Sequence, residues 1–596
     1  MKKAGLLALM IGLSPGPVVA STSGGGEKVY HHSEEDAPRS LDPISVGDAY
    51  SSMMVTSIYD TILEYRYLSD PWELKPNLAE SMPEISPDGL TFTIKLKKGV
   101  VFQDDPSFPG GKGREVTASD IVYSLKRHFD PANNSTSRWL WIDRIVGLDA
   151  WGKNGADYSK PVEGLKVLDP HTLKIQLVRT FPQFLYTLAM AGSAIIPHEA
   201  VKKYGKELAV KPVGSGPFKL VEMNKKKAEM IRNPTYRKEI FDLKEHRYNE
   251  QRHGYTNIKD LDGATLPIMD RVDISFMTQD SARWASMTKG DEIQFTTLPT
   301  TQLDHVLESK HPVTLKKEYA RRYQMRAAPE MGYVYYEFNM NHPDLGHSSD
   351  PVKDQKNKAL RCAIRKAFDW RGRIDRMYYG IGDAFPGIIP PGVDGYDPAL
   401  SKESITQDIP GAKKLLKDHG WNEKNLPVLY YSGVASVKQR QFYAQFRSWL
   451  SKIGYPKKKI LLKNFANFGD YMKEKIEGKL PMHALGWGLD YPDAENVLQL
   501  YYGPNKSPGS NSANYMNPAY DEVYRKALTL GPGAERNKLY QEANKILIDD
   551  CVTISGFSRT RIYLWDKNVA IFPNRAVIGN YFKYAGYAKK KIAKTI

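Results

Sequence analysis

The run His31-His32-Ser33-Glu34-Glu35-Asp36 sets imidazoles beside carboxylates, the side-chain types that hold a transition metal. It follows a Ser/Gly-rich start and shows no ligand spacing of a known metal motif, so the simpler reading is a solvated lead-in strand. Covalent catalysis fares no better. The G-x-S-x-G spacing of a serine nucleophile appears at Gly12-Leu13-Ser14-Pro15-Gly16, inside a segment that reads as a leader. There is no HExxH, P-loop or G-x-G-x-x-G run; Gly214-Ser215-Gly216-Pro217 and Gly486-Trp487-Gly488 break off before such a pattern is complete. Carboxylates are plentiful, yet no spacing marks out a glycosidase pair. No residue is assigned as catalytic or metal-binding, and no cofactor is expected. An exported hydrolase would need a nucleophile or dyad that this sequence does not display.

Two cysteines remain, Cys362 and Cys551, without a neighbouring Cys or patterned His. Two buried thiols acting as small hydrophobes are the simpler reading. One long-range disulfide is the alternative, open to a chain in an oxidising compartment.

The elements that must position any site are those of a large globular protein. At 596 residues, with 41% hydrophobic and 26% charged residues, the chain calls for two or three domains with sizeable cores. The net charge of +16 would suit an acidic partner, but the basic residues are scattered, which argues against nucleic acid. Lys2 and Lys3, the apolar run from Ala4 to Leu13, and Val18-Val19-Ala20 before Ser21 have the layout of a secretory signal peptide spanning 1–20. Cleavage after Ala20 lowers the charge to +14, and no cysteine follows to carry a lipid. Phe181 to Pro197 is the nearest later approach to a membrane span, and Pro182, Gln183 and Gly192 interrupt it. A soluble, exported, periplasmic protein is the expectation.

Leu41-Asp42-Pro43 predicts a turn, and Tyr50 to Leu63 carries helical periodicity. Thr91 to Leu96 and Thr172 to Leu177 alternate as half-buried strands do, and Thr117-Ala118-Ser119-Asp120 predicts a capped amphipathic helix through Ile121, Val122 and Leu125. Helices and strands mix without a regular repeat, which makes the fold class mixed α/β.

Several stretches, in order, resemble one family. They are Arg39-Ser40-Leu41-Asp42-Pro43, Val116 to Leu125, Val213-Gly214-Ser215-Gly216-Pro217-Phe218, Asn233-Pro234-Thr235-Tyr236, Leu360 to Asp369, and Trp487-Gly488-Leu489-Asp490-Tyr491-Pro492-Asp493. Together they resemble the peptide/nickel class (family 5) of extracellular solute-binding proteins, the receptors of ABC importers, and most of all its oligopeptide-binding members. The resemblance implies a two-lobed periplasmic-binding-protein fold with a hinge and an extra domain inserted in the first lobe. Its expected boundaries are 21–72, 212–329 and 557–596 for the discontinuous first-lobe domain, 73–211 for the insertion, and 330–556 for the second lobe. It also implies an oligopeptide ligand, permease subunits in the inner membrane as partners, and a monomer that performs no chemistry.

The same resemblance supplies the expected site. Asp490 matches the aspartate that receives a peptide α-ammonium in the relatives; the competing reading is a turn cap before Pro492. Trp487 walls a side-chain pocket or plugs the core. Val46-Gly47-Asp48 aligns with a stretch that contacts ligand backbone, or is a surface loop before a helix. Phe557 sits where relatives bring an aromatic residue into the cleft, with burial in the hinge as its alternative. Gly214 and Gly216 are expected to serve a tight turn, and Lys589-Lys590-Lys591 a solvated tail. Arg321 to Arg326 would either favour acidic peptides or lie on an outer strand. Extra sequence around 108–114 and 239–266 would edge the cleft, enlarge it or decorate the outside. Relatives take nickel chelates, haem, glutathione or oligosaccharides on this scaffold, so the fold alone leaves a non-peptide solute in play.

Overall fold

A computed structural model of the chain describes residues 26–289, 293–466, 468–573 and 581–589. The 1–20 leader with its Ala20 cleavage point, and Lys590 and Lys591, lie outside the described residues. Among the described residues no helix is long and apolar enough to cross a membrane.

Local patterning accounts for the elements between Glu84 and Gln176. The strand Thr91–Lys95 buries Phe92 and Ile94 and pairs antiparallel with Thr172–Gln176. Those two form the middle of a sheet flanked by Glu84–Ile85 and Leu165–Asp169. The helix Ala118–Arg127 starts where the Thr117 N–H and hydroxyl donate to Asp120 Oδ2 at 2.9 and 3.0 Å, which occupies donors that helix geometry leaves orphaned. Further helix forms at Ala49–Ile58, shorter than the periodicity from Tyr50 to Leu63 suggests, because the chain turns at Tyr59 into a strand at Leu63–Tyr65.

A second four-stranded sheet runs Val29–Glu34, Arg271–Phe276, Lys227–Arg232, Phe218–Met223, with the first pair parallel. The lead strand forms, but it is not solvated. His32, Ser33 and Glu34 are buried, with His32 Nε2 at 2.7 Å from Glu34 Oε1 and the imidazole stacked 4.9 Å from Phe295. The strand is covered because residues from the far end of the chain, Tyr581 and Phe582, pack over the same ring. No group of three metal-ligating side chains occurs among the described residues.

The chain leaves this lobe along Tyr323–Pro329, which pairs with Thr560–Asp566. Two residues on, Gly332–Phe338 enters a different sheet, ordered Asp383–Ala384, Thr553–Ser558, Gly332–Phe338, Met482–Gly488. It returns between Ser558 and Thr560. Both crossings are short and lie side by side, joined by the Glu330 N–H donating to Arg559 O at 2.7 Å. Each lobe has its own hydrophobic core, one around Met54, Ile94, Trp141 and Trp565 and the other around Phe338, Leu360, Tyr431 and Phe557.

Two expectations are corrected here, and one left open is decided. Cys362 and Cys551 are not two thiols but a disulfide, with Cα atoms 5.2 Å apart, joining the helix Pro351–Ala367 to the residue before Val552. Gly214 and Gly216 are needed for space rather than for unusual torsions: a Cβ on either would stand 2.1 to 2.7 Å from the Ile58 carbonyl. Of the three readings of the 239–266 insertion, decoration of the outside holds, since none of its residues lines the interlobe cavity. The insertion packs with the C-terminal segment over a buried ionic cluster, where Lys583 Nζ lies 3.1 Å from Glu64 and 2.9 Å from Glu239, and Lys75 lies 3.2 Å from Glu64.

His246, in that insertion, accepts the Tyr67 N–H on Nδ1 at 3.0 Å and is fully buried. Burial, aided by the charge of Lys75, pushes its pKa down to about 3. The ring is thus neutral in the fold but takes a proton in the unfolded chain below pH 6.5, so its contribution is complete above 6.5 and is lost as pH falls toward 3. The denaturant midpoint is expected to drop across this window, and His246→Gln, whose amide oxygen can still accept the Tyr67 N–H, to flatten the slope by about one proton. An unchanged slope would count against it.

Candidate functional site

A cavity of about 730 Å³ lies between the lobes, walled by both and floored by the two crossings. Val46, Gly47, Asp48, Trp487 and Asp490 all line it. Val46 and Gly47 are held there because Ser137 Oγ donates to Val46 O at 2.7 Å. Asp48 caps the helix Ala49–Ile58, accepting from Ser51 N and Ser51 Oγ at 2.8 Å each, and its carbonyl accepts the Ser52 N–H at 3.0 Å, so its carboxylate and carbonyl are both spent locally.

Trp487 and Asp490 are fixed by a residue that sequence reasoning missed. Asn496, buried in the turn of helix Glu495–Leu498, accepts the Trp487 Nε1–H at 2.9 Å and the Asp490 N–H at 3.2 Å on Oδ1, and donates from Nδ2 to Asp490 Oδ2 at 3.1 Å. A buried amide can hold both neighbours because it carries donors and acceptors together. Asp490 makes no turn cap; that task falls to Asp493, whose Oδ1 accepts the Glu495 N–H at 2.9 Å. Oδ1 of Asp490 has no hydrogen-bond partner among the described residues. Burial raises the Asp490 pKa above the ordinary aspartate value, against the opposing pull of Asn496 and the Arg144 charge.

Met482–Gly488 is the edge strand of its sheet, and its register settles which backbone groups face outward. Ala484 spends both its N–H and its C=O on Tyr471 Oη, away from Gly332–Phe338. By the two-residue alternation of a strand, Gly486 and Gly488 also point their N–H and C=O away from the sheet, and both are exposed at the cavity. A Cβ at Gly488 would meet nothing within 4 Å, so space also lies open off the face of the strand at this glycine.

Phe557 does not join them. It is fully buried between Tyr378, 4.5 Å away, and Trp370, 5.9 Å away: the register of Thr553–Ser558 slips at Gly556, so that Val334 pairs with Phe557 but Tyr335 with Ser555, and the bulge puts Phe557 in the same second-lobe core as Ile554. Arg326, the last residue of the Arg321 to Arg326 run, does line the cavity, on the strand Tyr323–Pro329, while Arg321 and Arg322 end a short exposed helix.

The lobes touch beside the site. Tyr186 of the first lobe stacks on Tyr491 at 5.7 Å with the rings 1° from parallel, and Gln183 Nε2 donates to Tyr540 Oη at 3.1 Å and to Asp493 Oδ1 at 3.4 Å. Asp493 is itself held by Arg536 at 2.6 Å, both side chains fully buried.

A sequence profile described as bacterial extracellular solute-binding proteins, family 5 Middle, matches residues 73–509. The chain is 25% identical over 562 residues to the dipeptide-binding protein of Escherichia coli (strain K12), covering 92% of each chain. It is also 25% identical to heme-binding protein A of Haemophilus influenzae, over 86% of this chain and 83% of that one. Its fold is similar to that of the periplasmic binding protein DppA from Helicobacter pylori in complex with the peptide STSA, with a TM-score of 0.66, 22% identity, and 94% and 98% of the two chains covered.

Proposed function

The chain belongs to the family 5 bacterial extracellular solute-binding proteins, binding receptors of ABC importers, and on that premise we propose that it captures short peptides in the interlobe cavity and presents them to a permease. The observation that carries this reading is the outer edge of Met482–Gly488: unpaired backbone groups at Gly486 and Gly488 lead directly to the half-satisfied carboxylate of Asp490. A peptide offers complementary N–H and C=O groups and, at its start, an ammonium, so strand addition along the glycines delivers the amine to Asp490. The open space off the strand face at Gly488 accommodates varied side chains, with Trp487 as one wall. On this reading 1–20 is the export signal, the protein works as a periplasmic monomer, and closure of the lobes about the two crossings encloses the cargo.

Asp490→Asn keeps the Asn496 contact and removes the charge. It is expected to weaken free-amine peptides by about 1.5–3 kcal/mol in titration calorimetry, the range for a hydrogen bond to a charged group, and to leave N-acetylated peptides unaffected. Affinity of the unaltered protein should fall with acidification at a higher pH than an ordinary aspartate would dictate, because protonation of Asp490 removes the ammonium's partner. Equal affinity of both proteins for a free-amine peptide would remove Asp490 from the site.

The supporting experiment is mass spectrometry of small molecules released from the purified, denatured protein. A ladder of short peptides supports the reading. A single haem, sugar or metal chelate would overturn it.

A further inference from the structure

Charged groups crowd the cavity wall, and nearly all are already matched. Arg283 is held by Asp280 at 2.6 Å and Glu35 at 3.5 Å, Arg559 by Glu330 at 2.7 Å, and Arg561 by Glu330 at 2.6 Å and Glu35 at 3.6 Å. Asp48 caps a helix and Glu34 meets His32. Apart from Asp48, whose carboxylate is used by Ser51, two wall charges have no ion-pair partner among the described residues: Asp490 on the second lobe and Arg326 on the first.

Arg326 is placed rather than loose. Its guanidinium stacks 3.9 Å from the centre of the Phe572 ring, and Nη1 donates to the Pro573 carbonyl. That carbonyl is neutral and uses one of five N–H donors. A half-buried cation matched by no anion is costly in a closed cavity unless something brings the charge to it. Its own burial already pulls its pKa below the usual arginine value. A planar, preorganised fork is the side chain best suited to a carboxylate.

We propose that Arg326 is a specificity-determining residue that receives a carboxylate of the ligand, so that the cavity selects ligands carrying an ammonium for Asp490 and a carboxylate for Arg326. This rests on the peptide reading above. Such a ligand ties the two lobes together through its own two charges. The carboxylate comes either from the C-terminus of a short peptide or from an acidic side chain.

Four probes separate these sources by calorimetry on the full mature chain: Ala-Ala-Ala, Ala-Ala-Ala-amide, Ala-Glu-Ala-amide and N-acetyl-Ala-Ala-Ala. The unaltered protein is expected to prefer either free Ala-Ala-Ala or Ala-Glu-Ala-amide over Ala-Ala-Ala-amide by about 10- to 100-fold. Arg326→Gln should abolish that preference and leave the discrimination against the acetylated peptide intact, while Arg326→Lys restores part of it. Near-UV circular dichroism and the denaturant midpoint check that both variants fold. Retention of the carboxylate preference in Arg326→Gln, or its absence in the unaltered protein that binds these peptides, overturns the assignment. If the unaltered protein binds none of the four, the peptide reading fails by itself, and small molecules released from it and from Arg326→Gln are compared. An anionic species lost only from the variant keeps Arg326 as the anion receptor; the same contents in both, none included, overturns that too.

Discussion

Replacing both Cys362 and Cys551 with alanine lowers stability by about 4–5 kcal/mol, the expectation for a cross-link that closes a loop this long. The bond spans 189 residues, almost the whole second lobe between its two crossings, so its main effect is to limit the unfolded chain. Cys551 stands at the foot of the strand Thr553–Ser558 and Cys362 on a core-facing helix, so the bond fixes the lobe's last strand to its first long helix. A guanidinium melt with and without reductant reads this directly, and the double variant should match the reduced protein. Coincident melts for all samples would show that the bond adds nothing. Ligand affinity should change little, since neither cysteine lines the cavity.

Arg536→Met has the second large effect. Asp493 and Arg536 are both fully buried, and Asp493 also serves Tyr540, at 2.8 Å, and Gln183 from the opposite lobe. Removing the guanidinium strands a carboxylate in a low-dielectric interior, which costs about 3–5 kcal/mol. Adding Asp493→Leu to Arg536→Met should restore most of that loss, because a well-packed apolar pair can equal a buried ion pair. A denaturant midpoint unmoved in the single variant, or no recovery in the double one, would contradict this account. Since Asp493 lies three residues beyond Asp490, the single variant should also weaken ligand binding in the cavity, by loosening the segment on which the Tyr186–Tyr491 stack rests.

What could be read beforehand follows the range of the forces involved. Alternation in Thr91 to Leu96 and the Thr117–Asp120 cap are local, and each appears within a residue or two of its expected bounds. Asp490, Trp487 and Val46 to Asp48 reach the cavity wall, but composition did not place them there; ordered motifs did. Asn496 was within reach in principle, six residues from Asp490, yet an asparagine near a proline turn gives no sign that it is buried. The disulfide and the pairing of Tyr323–Pro329 with Thr560–Asp566 join residues some two hundred apart, where no periodicity speaks. Phe557 shows the limit of alignment by motif: one step along a strand decides between cleft and core. Arg326 stood in a basic run with two readings, and only the matching of every neighbouring charge sets it apart.

The course of the chain through the two crossings also fixes an order of assembly. A polypeptide emerges from the ribosome N-terminus first, and the second lobe occupies one unbroken stretch from Gly332 to Ser558. Its sheet can be completed while the first lobe still lacks Thr560–Asp566, the middle strand between Phe295–Thr297 and Tyr323–Pro329, and the Tyr581–Tyr584 turn that shields His32 and carries Lys583 to Glu64. The lobe synthesised first is therefore finished last, and it must remain incomplete until the segment from Thr560 to Tyr584 arrives.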